Sequence, residues 1–99
     1  MRASNRPRTD YTLFLYISGA TQRSERAITN IKSVCEEHIK GRYRLNVIDI
    51  YQSPEQLAKH NIVAAPTLIK ETPLPVRCLV GDLSDTARVL KGLALSAAA

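Results

Sequence analysis

Cysteine and histidine, the residue types that most often do chemistry, are few in this chain and lie far apart. Cys35 falls on the apolar stripe of a predicted helix, where a buried thiol behaves as a small hydrophobe. Cys78 lies in a predicted strand beside Arg77, a positively charged neighbour, so a redox role for Cys78 alone stays open. Neither His38 nor His60 has a set of Cys, His or Glu ligands around it in the sequence. We therefore expect neither a metal site nor a cofactor site.

The charge balance of the chain indicates a solvated basic surface, or one that faces an acidic protein partner, rather than a surface that binds nucleic acid. The formal net charge is +5. Residues 1–9 are polar, arginine-rich and aperiodic, which predicts a disordered basic arm rather than a secretory signal. The other basic residues are scattered without a nucleic-acid-binding motif, and no apolar run approaches the roughly 20 residues that span a bilayer. We therefore expect a cytoplasmic protein with no nucleic acid or membrane as partner.

Hydrophobic periodicity predicts a βαβ unit in the first half of the chain. Tyr11–Ile17 is almost continuously apolar, as is typical of a central strand covered on both faces. Thr21 is a candidate N-cap for a helix whose apolar residues recur at three- and four-residue spacing, and Gly41 suits its C-terminal end. Tyr43–Ile50 is then a second strand, parallel to the first and reached by a right-handed crossover.

The second half is predicted to add a short helix and a hairpin. Ser53–Gln56 is a capping box with proline at the first helical position, and it starts a short helix through about His60. Thr67–Lys70 and Val76–Val80 are two short strands separated by a proline-containing turn, which predicts antiparallel pairing.

A closing helix completes the predicted order βαβαββα of one α/β domain. Gly81–Ser84 forms the strand-to-helix corner, and Asp82 or Ser84 can cap the helix that follows. An apolar stripe of alanine and leucine marks that helix. We assign the domain to residues 10–96 and a flexible tail to residues 97–99.

A proline loop places this order in a known fold class. Val63–Leu68 resembles the loop before the third strand of thioredoxin-like domains, in which the proline is usually cis, so we expect a cis bond before Pro66. Redox members of that fold carry Cys-x-x-Cys after the first strand. Here Ser18–Ser24 contains no cysteine. A thioredoxin-like body without the dithiol predicts a protein-binding surface and no enzyme.

Six motifs, in order and spacing, resemble those of the KaiB family over about Tyr11 to Leu93. The motifs are Tyr16–Gly19, Val47–Asp49, Pro54, Ile62–Leu68, Pro73–Arg77 and Gly81–Ser84. The resemblance implies a clock regulator that binds the N-terminal ATPase ring of a KaiC hexamer and then captures KaiA and a histidine-kinase partner. It also implies that Arg26, Lys70 and Arg77 are the basic residues that lie near KaiC.

The chain departs from the family pattern at three partner positions. Asn61 stands where the family commonly has Lys, and Cys78 stands where a second Arg follows Arg77. On the second strand, whose edge captures KaiA-type partners, Arg44 and Asn46 replace a typical Ala-x-Lys. These departures favour a paralogue with altered partners. A sensory input domain similar to that of SasA-type kinases is the alternative of another class.

The resemblance further implies two folds, a thioredoxin-like monomer and a tetrameric resting fold with a rearranged C-terminal half. We expect the thioredoxin-like monomer to dominate. Ala94 stands where the family commonly has Asp, and alanine favours the closing helix by propensity and by removing a charge from its C-terminal end. Gly92 works against that helix. We class Gly92 and Ala94, with Gly81, Asp82 and Pro66, as structural positions.

Overall fold

The computed structural model describes residues 10–52, 55 and 66–94, which form a mixed α/β thioredoxin-like fold. In this part of the chain the elements are β1 Tyr11–Ile17, α1 Gln22–His38, β2 Tyr43–Asp49, β3 Thr67–Thr72, β4 Arg77–Val80 and α2 Thr86–Gly92. The strands form one sheet in the order β2-β1-β3-β4. No helix in the described ranges is long and apolar enough to cross a bilayer.

Strand β1 lies in the middle of the sheet because both of its edges are paired. It runs parallel to β2, with Leu13 opposite Leu45, and antiparallel to β3, with Phe14 opposite Ile69. This confirms the predicted parallel βαβ unit and central strand. The core lies where the odd-numbered β1 side chains meet α1 and α2, and its buried members are Tyr11, Leu13, Leu15, Ala27, Ile31, Val34, Cys35, Ile39, Leu68, Leu83, Val89, Leu90 and Leu93.

Helix α1 begins and ends as its sequence predicts. The Thr21 hydroxyl oxygen accepts a hydrogen bond from the Ser24 backbone N–H (3.1 Å), which satisfies an amide that has no partner inside the helix. At the other end Gly41 has a φ of +77°, a left-handed conformation that glycine adopts without steric cost. Strand β2 therefore starts two residues later in register with β1.

The hairpin of β3 and β4 has the predicted antiparallel pairing but different bounds. Strand β3 continues to Thr72 rather than ending at Lys70, and β4 begins at Arg77 rather than Val76. The extension has a partner, because Thr72 lies opposite Thr12 and its side-chain oxygen accepts a hydrogen bond from the Thr12 N–H (3.1 Å). The turn contains cis bonds before Pro73 and Pro75.

The corner before α2 differs from the expected one in its capping residue. Asp85 is the N-cap, and its carboxylate accepts from the Arg88 backbone N–H (3.1 Å). Asp82 instead accepts from the Ser84 N–H (3.1 Å) inside the corner. Leu83, with a φ of +63°, turns the chain between the two and is buried in the core. The cap thus falls one residue after Ser84 and three after Asp82, the two predicted alternatives.

The end of α2 also corrects the expected role of two residues. The helix ends at Gly92 with Leu93 as C-cap, so Gly92 is not in a helix interior. Ala94 lies beyond the helix at a φ of +61°, and its N–H donates to the Lys91 carbonyl (3.1 Å). Helix propensity therefore does not act at Ala94, because the chain has already left the helix in a left-handed C-terminal turn.

Several predictions fall outside the described residues. These are the basic arm at residues 1–9, the short helix from Ser53 to His60, the partner position Asn61 and the tail at residues 97–99. The peptide bond before Pro66 also falls there, because its first residue is not described, while Pro66 itself is buried.

Candidate functional site

The corner after β1, where redox relatives of this fold keep their dithiol, holds only hydroxyl chemistry. Ser24 is fully buried, and its hydroxyl oxygen accepts a hydrogen bond from the Thr21 hydroxyl (2.9 Å). Both groups serve the N-terminus of α1. With no thiol in Ser18–Ser24, this corner cannot form the mixed disulfide with which dithiol chemistry begins.

The two cysteines have opposite environments. Cys35 on α1 is fully buried, and burial raises the pKa of its thiol to about 12, with the charge of Glu36 adding to the shift. A thiol with that pKa carries almost no thiolate at neutral pH and is a weak nucleophile. Cys78 in β4 is exposed. The structure therefore confirms Cys35 as a core residue and leaves Cys78 as the accessible thiol of the described chain.

Two of the three predicted ring-contacting residues lie together on the β3–β4 hairpin. Lys70 and Arg77 are register partners, so their side chains leave the same face of the sheet. Arg77 is exposed, but Lys70 is only 2% exposed. Strand alternation turns Lys70 toward the same face as the core residue Leu68, so its side chain is buried in this structure and its contact with the ring stays a prediction.

Burial leaves the Lys70 amine in an unfavourable setting. Desolvation lowers the pKa of Lys70, and the positive charge of Arg77 lowers it further. No hydrogen bond or ion pair within the described part of the chain reaches this amine. Lys70 thus lies behind the exposed Arg77 as a buried amine that no described group neutralises.

The third predicted residue, Arg26, lies at the opposite end of β4. Its guanidinium is 3.9 Å from the carboxylate of Asp82, roughly 15 Å along the strand from Arg77. Hydrogen bonds from Ser84, and then the charges of Arg26 and Arg23, lower the pKa of Asp82. The Asn30 side chain donates to the Asp82 carbonyl (2.8 Å). Arg26 therefore belongs to a cluster that ties the corner before α2 to α1.

Of the two predicted partner residues on β2, one has an exposed side chain and the other uses its side chain in a hydrogen bond. Arg44 is exposed on this outer strand, whereas the Asn46 amide donates to the Leu13 carbonyl (3.2 Å). On the other face of β2, the Tyr43 hydroxyl donates to Glu36 (2.7 Å), a hydrogen bond that raises the pKa of Tyr43 to about 12. Val47 on that face is 41% exposed. A shallow groove of ≈ 580 Å³ runs along Tyr43, Leu45 and Val47.

The β4 side carries a cationic groove that sequence reasoning missed. It has a volume of ≈ 320 Å³ and is lined by Arg77, Cys78, Leu79, Arg88, Lys91 and Gly92. Arg88 and Lys91 are three residues apart on α2, so they lie on one face of that helix. Their spacing was visible in the sequence, but the approach of α2 to Arg77 was not.

Gly92 explains how closely α2 approaches β4. A Cβ added at this position would lie 2.7 Å from Leu79 Cδ1 and 3.1 Å from Cδ2 and Cγ. Any side chain at residue 92 would therefore displace Leu79 or the helix. Absence of a side chain at Gly92 brings Arg88 and Lys91 over the cationic groove.

The strand order and the thiol-free corner define a thioredoxin-like domain without the redox dithiol. Among solved structures, the N-terminal domain of SasA from Synechococcus elongatus matches with a TM-score of 0.70 at 21% identity, over 87% of this chain and 85% of that domain. Mitochondrial thioredoxin 3 from Saccharomyces cerevisiae in its oxidized form matches with a TM-score of 0.70 at 13% identity, over 90% and 82%. Both likenesses show the fold alone.

Sequence comparison gives the family. The KaiB domain model matches residues 14–95. A circadian clock oscillator protein, KaiB of Synechococcus elongatus, is 46% identical over 89 residues, which cover 90% of this chain and 87% of that protein. The chain belongs to the KaiB family, which confirms the resemblance seen in its motifs.

Proposed function

We propose that this protein is a non-enzymatic regulator that docks on the ATPase ring of a KaiC-type protein. The observation that carries the proposal is the family match over residues 14–95, with relatives named as circadian clock oscillator proteins. The exposed guanidinium groups of Arg77 and Arg26 support it, since they present positive charge at both ends of β4. Lys70, the third basic residue that the family resemblance implies, is the register partner of Arg77 and lies buried behind it.

A pull-down with the purified KaiC-type ring of the same cell tests this proposal. We expect Arg77→Glu and Arg26→Glu each to weaken binding, and the double variant to abolish it, because each reversal places like charge against an acidic ring surface. Arg44→Glu is the matched control, since it makes the same charge change on the outer β2 strand. Lys70 stays unchanged, because burial of a carboxylate there would unfold the hairpin.

The interpretation of the result depends on the control. Equal binding of wild type and the double variant, with folding verified by circular dichroism, would refute the site. Failure of the wild type to bind any ring from its own cell would refute the proposed function. Loss of binding in Arg44→Glu alone would move the contact to β2.

We further propose that β2 captures a KaiA-like protein or a histidine-kinase partner once the ring is bound. The supporting observation is the outer strand itself, which combines exposed Val47 with the free side chain of Arg44. Val47→Glu and Arg44→Glu should block this capture and leave ring binding intact. A variant that loses both steps together would contradict separate surfaces.

The remaining proposals concern state and activity. We propose a cytoplasmic, thioredoxin-like monomer over residues 10–96, with the tetrameric fold as a minor alternative. Backbone chemical shifts that are strand-like across residues 89–93, with the sedimentation of a tetramer, would contradict it. Disulfide reductase turnover that disappears in Cys78→Ser would contradict the non-enzymatic assignment, which the thiol-free Ser18–Ser24 corner supports.

A further inference from the structure

In the described sheet, the outer edge of β4 lies beside a cationic groove. One ligand could supply both hydrogen-bond partners for the edge and negative charge for the groove. Strand β4 is the outer strand of the described sheet, with β3 as its only partner in that sheet. The groove between β4 and α2 contains three cations, Arg77, Arg88 and Lys91, and no carboxylate among the described residues lines it.

The hydrogen-bond pattern shows which backbone groups of β4 point outward. The Gly81 N–H donates to the Pro66 carbonyl (3.0 Å), so the backbone groups of Gly81 point toward the neighbouring strand. In an antiparallel pair, successive residues direct their N–H and C=O groups alternately toward the partner strand and away from it. Leu79 and Arg77 therefore direct their N–H and C=O toward β3, whereas Cys78 and Val80 direct theirs away from the sheet.

The outward groups and the cations are all accessible. Val80 is 48% exposed and Cys78 is exposed, and no hydrogen bond described for this chain uses their outward N–H groups. Asp85, the carboxylate nearest in sequence to Arg88, uses one oxygen to cap α2. None of the ion pairs within the described residues involves the three groove cations.

We propose that β4 accepts an extended acidic segment of a partner protein as an additional strand. The segment's backbone would pair with Cys78 and Val80, and its alternate side chains, which are carboxylates, would enter the groove toward Arg88 and Lys91. A peptide fits better than a phosphate-bearing ligand, because the strand edge offers carbonyl acceptors as well as N–H donors and a peptide backbone matches both. Exposed Val80 adds apolar surface on the opposite face.

This proposal goes beyond docking on an ATPase ring, and it needs no ring to be tested. The probe is a short synthetic peptide with glutamate at alternate positions and valine between them, titrated into the full chain. We expect Arg88→Gln/Lys91→Gln to weaken its binding by about tenfold or more, since both charges face the bound carboxylates. The matched control Lys32→Gln/Arg44→Gln removes the same two charge types near β2 and should change affinity less than about twofold.

Two further probes separate strand addition from simple charge attraction. A peptide N-methylated at alternate residues keeps its charge but loses the N–H groups that pair with the edge, so its affinity should fall. Binding of the peptide without N-methyl groups should protect the Cys78 and Val80 amides from hydrogen exchange. Unchanged affinity of the N-methylated peptide, equal binding of polyphosphate or an oligonucleotide, or no protection at these two amides would overturn the proposal.

The outcome is independent of the ring-docking result. Arg77 is left unchanged in every variant of this experiment, and Arg88→Gln/Lys91→Gln should still pull down a KaiC-type ring. Loss of peptide binding with ring binding intact supports a separate surface, whereas peptide affinity equal to that of wild type overturns it.

Discussion

The two halves of this domain reach their folded states in different ways. Residues 10–49 form β1, α1 and β2 with a capped helix of 17 residues and no left-handed residue other than glycine. Residues 66–94 form a hairpin and a helix of 7 residues, with Leu83 and Ala94 both held at positive φ. The backbone of the first half adopts conformations that its residue types favour, whereas several residues of the second half adopt conformations that their residue types disfavour.

The difference shows where the second half obtains its stability. Leu83, Val89, Leu90 and Leu93 are buried in the core that the first half supplies, while Lys70 is buried without a described partner. The unfavourable features of the second half persist because its contacts with β1 and α1 stabilise the fold by more than these features cost. A half that depends on the other for its core is the half that we expect to rearrange, in line with the two folds that the family resemblance implies.

The largest expected effect tests whether the first half carries the core. Leu15→Ala removes a fully buried side chain from the central strand, and it should lower the free energy of unfolding by about 2–5 kcal/mol. Leu79→Ala in β4 should cost less, because Leu79 is only partly buried. Urea denaturation measures both, and a larger loss for Leu79→Ala would break the comparison.

Lys70→Met tests whether the second half contains a removable unfavourable group. Methionine keeps the apolar stem and removes a buried charge, so the free energy of unfolding should rise by about 1–3 kcal/mol at neutral pH. Lys32→Met on the exposed side of α1 is the control and should stay within about 0.5 kcal/mol.

The rise in the free energy of unfolding caused by Lys70→Met should depend on pH, with a sign that follows from the lowered pKa of Lys70. Because the folded-state pKa of Lys70 lies below 10.5, the unfolded state binds more protons between the two pKa values, and wild-type stability rises with pH in that window. The advantage of Lys70→Met should therefore narrow as the pH rises toward 10.5. A constant advantage across this window would mean that Lys70 is not destabilised as a cation.

Ala94→Gly tests the cost of the left-handed turn after α2. Glycine adopts a φ of +61° without a Cβ clash, so this change should raise the free energy of unfolding by about 0.5–1 kcal/mol. Ala87→Gly makes the same chemical change inside α2, where it should lower stability by about 0.5–1 kcal/mol. Equal signs for the two variants would show that residue 94 is helical in solution.

Thiol titration gives the smallest energetic effect but a clear contrast between the halves. In the folded protein a disulfide reagent should modify Cys78 rapidly, and Cys35 only after unfolding, because burial holds the pKa of Cys35 at about 12. Cys78→Ser should remove the fast reaction and change the free energy of unfolding by less than about 0.5 kcal/mol. Two fast thiols in the native protein would show that α1 does not enclose Cys35.

Local patterns predicted the first half almost to the residue, since periodicity, the Thr21 cap and Gly41 all act within a few positions of themselves. Local patterns did not identify the N-cap of α2, because several residues near its start are able to cap a helix. Asp82, Ser84 and Asp85 can all cap a helix, and in the structure Asp85 is the cap, after a turn in which Leu83 has a positive φ.

The site was less predictable than the fold because it depends on which side chains the strands bring together. Lysine is usually exposed, so nothing local marked Lys70 as buried; only the register of β3 with β1 and β4 does. Arg88 and Lys91 were ordinary helix-surface cations until α2 was placed against β4. The family motifs identified the family correctly but did not supply this arrangement.

Gly92 has a consequence for selectivity that concerns size rather than charge. Its missing side chain fixes the separation of α2 from Leu79, and so the width of the slot between the arginines of β4 and α2. Alanine at this position would force Leu79, which lines the groove, or α2 to move, without altering a single charge. The charge of the groove and its shape thus depend on different residues, so a substitution at residue 92 would change the shape and leave the three cations in place.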